Sequence, residues 1–144
     1  MDKETRHASC VAITGAGIMI SGPSNSGKSD LALRLIDRGA ILICDDYVDL
    51  WRHDSQIMME APARIAGKME VRSLGIFDCE HVSNIPLMLQ VQLKSQIERF
   101  PMDSQTETIM TINVPTIAIN PIEASAPIKV EMALKRLLQR AEGA

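Results

Sequence analysis

Apolar and polar positions along this chain fall into short runs, punctuated by glycine and proline, that divide by their period. Ser9–Thr14 (SCVAIT) and Ile18–Ser21 (IMIS) are apolar and rich in β-branched residues, and Gly15-Ala16-Gly17 separates them, which predicts a hairpin of two short strands. Leu31 and Leu35, with Ala32 and Ile36, recur at helical spacing among Asp30, Arg34, Asp37 and Arg38, so an amphipathic helix is expected there, stopped by Gly39. Ala40–Cys44 (AILIC) is an unbroken apolar run of strand length and predicts a buried strand. Tyr47–His53 and Gln56–Ala61 flank Asp54-Ser55 as a second hairpin, closed by Pro62. Residues 64–77 are mixed and broken by glycine, and read as loop and short strand.

Leu87–Leu93 (LMLQVQL) alternates, the pattern of a half-buried strand, whereas Ser95–Glu107 is polar, holds Pro101 and reads as loop. Thr108–Val114 and Thr116–Ile119 are strand-like, and Pro115 between them predicts an edge or a break. Pro127–Arg140 carries the stripe Val130, Ala133, Leu134, Leu137 and Leu138, an amphipathic helix with Pro127 in its first turn. The resulting class is α/β, with more strand than helix.

Composition narrows the function. The 144 residues suit one domain, and 46% hydrophobic with 23% charged residues is ordinary globular usage that excludes a disordered chain. No apolar run approaches the roughly 18 residues that cross a bilayer, and Met1–His7 lacks the apolar centre of a signal peptide, so a cytoplasmic protein without membrane contact is expected. A net charge of −3 argues against a nucleic-acid surface. Cys10, Cys44 and Cys79 lie far apart with no CxxC pair, and are expected as small residues in a reducing compartment rather than as a disulfide or zinc site. His53 and His81 have no recognisable partners and are read as structural.

The chemistry concentrates in Gly22-Pro23-Ser24-Asn25-Ser26-Gly27-Lys28-Ser29, a full match to GxxxxGK followed by Ser or Thr, between a predicted strand and a predicted helix. Glycines let successive backbone N–H groups face one centre, and that nest at a helix N-terminus takes phosphate oxygens. Lys28 supplies a mobile positive charge for the β- and γ-phosphates, and Ser29 a hydroxyl for Mg²⁺. Asp45-Asp46 ends the AILIC strand, where α/β folds place their sites. One carboxylate there is suited to Mg²⁺ and the other to accepting a proton from an attacking hydroxyl. Glu70-Val71-Arg72 would set Glu70 and Arg72 on one strand face.

Order and spacing of these pieces resemble the catalytic domain of the HPr kinase/phosphorylase family. His7 precedes a hairpin that runs straight into GPSNSGKS. Arg38-Gly39, an apolar strand and Asp45-Asp46-Tyr47-Val48-Asp49-Leu50 follow. Pro62, Ile65 and Gly67 then lead into Glu70-Val71-Arg72-Ser73-Leu74-Gly75-Ile76-Phe77-Asp78, similar to the family's signature segment. The resemblance spans His7 to Asp78 and thins from Cys79 onward.

The resemblance implies a P-loop kinase fold of the phosphoenolpyruvate-carboxykinase-like type, a mixed sheet with a P-loop helix and a C-terminal helix, forming one catalytic domain over residues 1–144 without the family's separate N-terminal domain. It implies ATP and Mg²⁺ as cofactors, a serine of the phosphocarrier protein HPr as acceptor, and a homo-hexamer. By position, Lys28 and Ser29 would hold phosphate and metal. Asp46 would be the base, assisted by Asp45. Glu70 would be a further Mg²⁺ ligand, His7 would lie near the transferred phosphate, and Arg99 would match a family catalytic arginine. Two positions depart, Ser73 for a usual Gly and, mildly, Asp30 for a usual Glu. The family segment associated with phosphorolysis carries arginine, whereas Ile119–Pro127 (INPIEASAP) has none, so the resemblance leaves open whether HPr is also dephosphorylated. Two other readings remain: a nucleotide-sensing module that regulates a partner without catalysis, and a small-molecule kinase, against which the lack of a dense arginine cluster counts.

Overall fold

The computed structural model describes residues 2–97 and 105–142. Its strands are β1 (Lys3–His7), β2 (Ser9–Ile13), β3 (Ala16–Ser21), β4 (Ile41–Cys44), β5 (Tyr47–His53), β6 (Gln56–Glu60), β7 (Lys68–Val71), β8 (Gly75–Asp78), β9 (Ile85–Leu93), β10 (Gln105–Ile109) and β11 (Ile112–Ile119). Helix α1 covers Lys28–Asp37 and α2 covers Ala126–Glu142. Among the described residues, one mixed nine-stranded sheet runs β1-β5-β6-β9-β3-β2-β4, with β11 pairing β9 and β10 pairing β11, and β7–β8 forms a separate two-stranded sheet. This is an α/β fold with a mixed sheet and two helices.

The alternation along the central strands builds two cores. Val11, Ile18, Ile20, Leu42, Leu89 and Val91 project to one face, where Leu31 and Leu35 of α1 and Val130 and Leu134 of α2 cover them. Cys10, Ala12, Met19, Ile43 and Cys44 project to the other, where Val48, Leu50, Ile57 and Met59 of the β5–β6 hairpin and Ile109 and Val114 of the β10–β11 hairpin pack. Burial among these apolar strands, with the Cys44 thiol beside it, pushes the Cys10 thiol pKa well above its ordinary value. No described helix is long and apolar enough to cross a membrane.

Both hairpins expected from turn chemistry are present, as are the AILIC strand and both helices. The differences arise where a segment's own pattern does not reveal its pairing partner. Lys3–His7 is an edge strand, with Lys3 opposite Trp51 and His7 opposite Tyr47 on β5. Gln105–Glu107 belongs to β10 rather than to a loop. Residues 64–77 are loop and short strand as expected, with the end of a short 3-10 turn and most of the β7–β8 hairpin. Leu87–Leu93 is no half-solvated strand: β9 is central, Gln90 is buried, and its amide donates to Glu107 and to Thr116 Oγ1 while its carbonyl accepts from Ser21 Oγ. Pro115 does not break β11. It lies at the changeover between two ladders, since β11 pairs β9 only from Thr116 onward, so the missing N–H falls where β9 asks for none.

Candidate active site

Strand direction gathers the chemistry at one edge of the sheet. β2 lies antiparallel to both β3 and β4, so β3 and β4 run the same way, and β9 is parallel to β3. The C-terminal ends of β3 and β4 therefore meet the N-terminal end of β2. β3 delivers the glycine-rich loop, β4 delivers Asp45-Asp46, and the β1–β2 junction delivers His7 and Ser9.

The loop curls on itself before opening α1. Ser26 N–H donates to Pro23 O at 3.1 Å, and Asn25 and Gly27 take left-handed φ values of 63° and 100° that return the chain to the helix start. At Gly22 a Cβ would stand 2.7 Å from Ser26 Oγ and 3.2 Å from Leu93 Cβ, so a larger residue would force the Ser26 hydroxyl to turn away. The Lys28 ammonium is buried at the loop's centre and donates to Gly22 O at 2.9 Å and Pro23 O at 2.8 Å. Ser26 Oγ is buried with no partner among the described residues, an orphan polar atom that a phosphate oxygen would satisfy. Ammonium, curled backbone and helix N-terminus together fit a polyphosphate.

Asp45 and Asp46 are adjacent in sequence and opposite in environment. Asp45 is buried, and its Oδ1 accepts from Ser29 Oγ at 2.6 Å and Ser9 Oγ at 2.9 Å, while Oδ2 accepts from Glu70 N–H at 3.1 Å. One carboxylate thus joins α1, β2 and β7. Asp46 takes φ 76°, a left-handed conformation that Asp tolerates better than most residues, and its carboxylate is exposed 2.6 Å from His7 Nε2. The His7 ring lies 5.2 Å from the Tyr47 ring.

Of the residues expected at the site, Lys28, Ser29, Asp45, Asp46 and His7 come together with the Gly22–Gly27 loop. Glu70 reaches it through its backbone, with its own side chain exposed. The alternation expected for Glu70 and Arg72 stops at Val71, where β7 ends; Arg72 lies in the following turn and its Nη2 donates to Asn25 Oδ1 at 3.4 Å. Arg99 lies outside the described residues. Among the described residues no three His, Cys, Asp or Glu side chains form a metal cage. The adjoining oxygens of Ser29 and Asp45 are the hard donors that Mg²⁺ takes beside waters and substrate phosphates, so this pair fits that ion.

Sequence reasoning missed three participants. Ser9 stands in an apolar run, where a lone hydroxyl gives no signal. Tyr47 read only as a strand start. Arg34 read as a helix surface charge, yet its guanidinium donates to Pro121 O at 2.6 Å and Glu123 O at 3.3 Å. It thereby braces the arginine-free segment before α2 against the start of α1, where Pro121 sits 3.4 Å from a Cβ built on Gly27.

Comparison with known proteins gives one family throughout. Residues 1–144 match the family model for the HPr Serine kinase C-terminal domain. The HPr kinase/phosphorylase of Clostridium beijerinckii is 35% identical over 140 residues, covering 88% of this chain and 46% of its own length. That of Levilactobacillus brevis is 32% identical over 131 residues, covering 82% and 42%. The solved structure of the Hpr(Ser) kinase/phosphatase from Coxiella burnetii matches with a TM-score of 0.84 at 31% identity, over 96% of this chain and 99% of that one. The chain spans a little under half the length of the curated relatives it matches.

Proposed function

Since the chain belongs to the HPr serine kinase C-terminal domain family, we propose that it is a P-loop kinase domain of the phosphoenolpyruvate-carboxykinase-like type that transfers a phosphoryl group from ATP, with Mg²⁺, to a serine of the carrier protein HPr. The observation that carries this reading is the placement of two unlike carboxylates beside the lysine loop: Asp45 buried on Ser29, Asp46 exposed on His7.

Phosphoryl transfer through a loose transition state asks the protein chiefly for positioning and charge neutralisation. The loop amides and Lys28 bind the phosphate oxygens. Ser29 and Asp45 would hold Mg²⁺, which when bound neutralises charge on the phosphates; Glu70 is a further candidate ligand. Asp46 accepts the proton of the incoming serine hydroxyl as the serine oxygen bonds to the γ-phosphorus and the bond from that phosphorus to the ADP oxygen breaks, releasing ADP, and His7 orients the Asp46 carboxylate. Arg99, placed by family resemblance alone, is proposed as a further contributor to charge neutralisation.

Incubation with Mg-ATP and HPr, followed by intact-mass measurement of HPr, tests the reading. A gain of one phosphoryl group on serine is expected. No gain, with nucleotide bound, would replace it with the nucleotide-sensing reading. The reverse, phosphorolytic reaction is not proposed, because the segment before α2 lacks arginine.

A further inference from the structure

We propose that Ser9 is a positioning residue for phosphoryl transfer: its hydroxyl fixes Asp45 inward and Asp46 outward, and so divides the labour between two chemically identical neighbours. The proposal rests on the kinase reading above.

Ser9 opens β2 and is completely buried (0% exposed). A hydroxyl there costs stability unless it is hydrogen-bonded, and this one spends both its capacities on the carboxylate pair. Its O–H donates to Asp45 Oδ1 at 2.9 Å, and its oxygen accepts from the Asp46 N–H at 3.4 Å. The first contact adds a fixed donor to the oxygen that also takes the Ser29 hydroxyl, so the Asp45 carboxylate is held toward the loop helix. The second acts on a strained turn. Asp46 stands at φ 76°, which a non-glycine residue keeps only when its surroundings hold it. Those surroundings are Tyr47 N–H on Asp45 O at 2.9 Å, which closes the turn around Asp46, Ala8 N–H on the Asp46 carbonyl at 3.0 Å, and Ser9 Oγ on the Asp46 N–H, which would otherwise lack a partner among the described residues. The turn swings the Asp46 carboxylate out to His7 while Asp45 stays buried. β4 has ended at Cys44, so strand alternation does not separate the two side chains; the turn at Asp46 does, and Ser9 is the one side chain among the described residues that bonds both to that turn's N–H and to the Asp45 carboxylate.

The test is Ser9→Ala in the full chain, with three readouts: Mg-ATP affinity by titration, steady-state transfer to HPr, and hydrogen exchange at the Asp46 amide. Mg-ATP affinity is expected to fall by less than kcat does, because Asp45 keeps Ser29 Oγ and the Glu70 N–H as donors. The kcat should fall about ten- to a hundredfold, the worth of one hydrogen bond to a charged group, with a smaller change in the KM for ATP. The Asp46 amide should exchange faster while amides in the middle of β9 do not. An unchanged kcat, or an unchanged Asp46 amide, overturns the proposal. If Ser9→Ala does not fold, Ser9→Cys, close in size but a weaker donor, is read in the same way. Failure of both to fold assigns Ser9 to folding and overturns it too. Absence of transfer by the wild-type protein is a separate result that removes the kinase reading itself.

Discussion

Under the proposed function, Lys28 and Asp46 are the residues on which binding and transfer should separate. The Lys28 ammonium is already desolvated and held by two carbonyls of its own loop, so a phosphate that displaces them meets a charge in its final position. Lys28→Ala should abolish both nucleotide binding and transfer; a titration showing near wild-type Mg-ATP affinity would remove the loop as the phosphate site. Asp46 touches His7 and no loop atom among its hydrogen bonds, so Asp46→Asn should leave nucleotide affinity intact and cost at least about a hundredfold in transfer, the scale of a lost general base. Unchanged labelling of HPr by that variant removes Asp46 as the base. Lys28 and the Asp45-Asp46 pair were legible in the sequence because their chemistry is written in consecutive residues. Ser9 was not, because its meaning depends on strand β4 arriving beside it from 36 residues away.

Elements were legible to the extent that their signals are local. Gly15 and Asp54-Ser55 announce their hairpins, and the leucines of α1 announce a helix. Lys3–His7 (KETRH) carries no apolar period and becomes a strand only because the β5 edge accepts it, and Gln90 reads as solvent-facing because alternation does not count the neighbours a central strand will have. Gly17 belongs to the same class. In the sequence it is one of two turn glycines, but in the fold it lies within β3 against β9, where a Cβ would meet Met59 Sδ at 2.6 Å and the backbone carbonyl of Pro86 at 2.7 Å. Met59 can swing aside and the carbonyl cannot. Gly17→Ala should therefore destabilise the protein by about 1–3 kcal/mol, the usual cost of overpacking, seen as a lower midpoint in urea unfolding. An unchanged midpoint would mean that β3 and β9 part without penalty.

At the scale of the molecule, the sheet edge that carries the candidate site is also the point where separate substructures are tied together. The β7–β8 hairpin is not part of the main sheet, and it leaves Leu74 and Ile76 more than two-thirds exposed at 71% and 73%. Met69 anchors it into the helix-side core, and the Glu70 N–H on Asp45 fastens it to the site. Asp45 in turn reaches α1 through Ser29 and β2 through Ser9. Removing that one carboxylate should release the hairpin while the two apolar clusters keep the main sheet closed, since stability in a folded chain is distributed unevenly and exposed two-stranded elements open first. In Asp45→Ala, backbone amides of β7 and β8 should exchange with solvent at least about tenfold faster, with those in the middle of β9 unchanged. Equal protection of β7–β8 in variant and wild type would show that Met69 alone holds the hairpin, and that the buried carboxylate serves the metal and nucleotide without joining the elements around them.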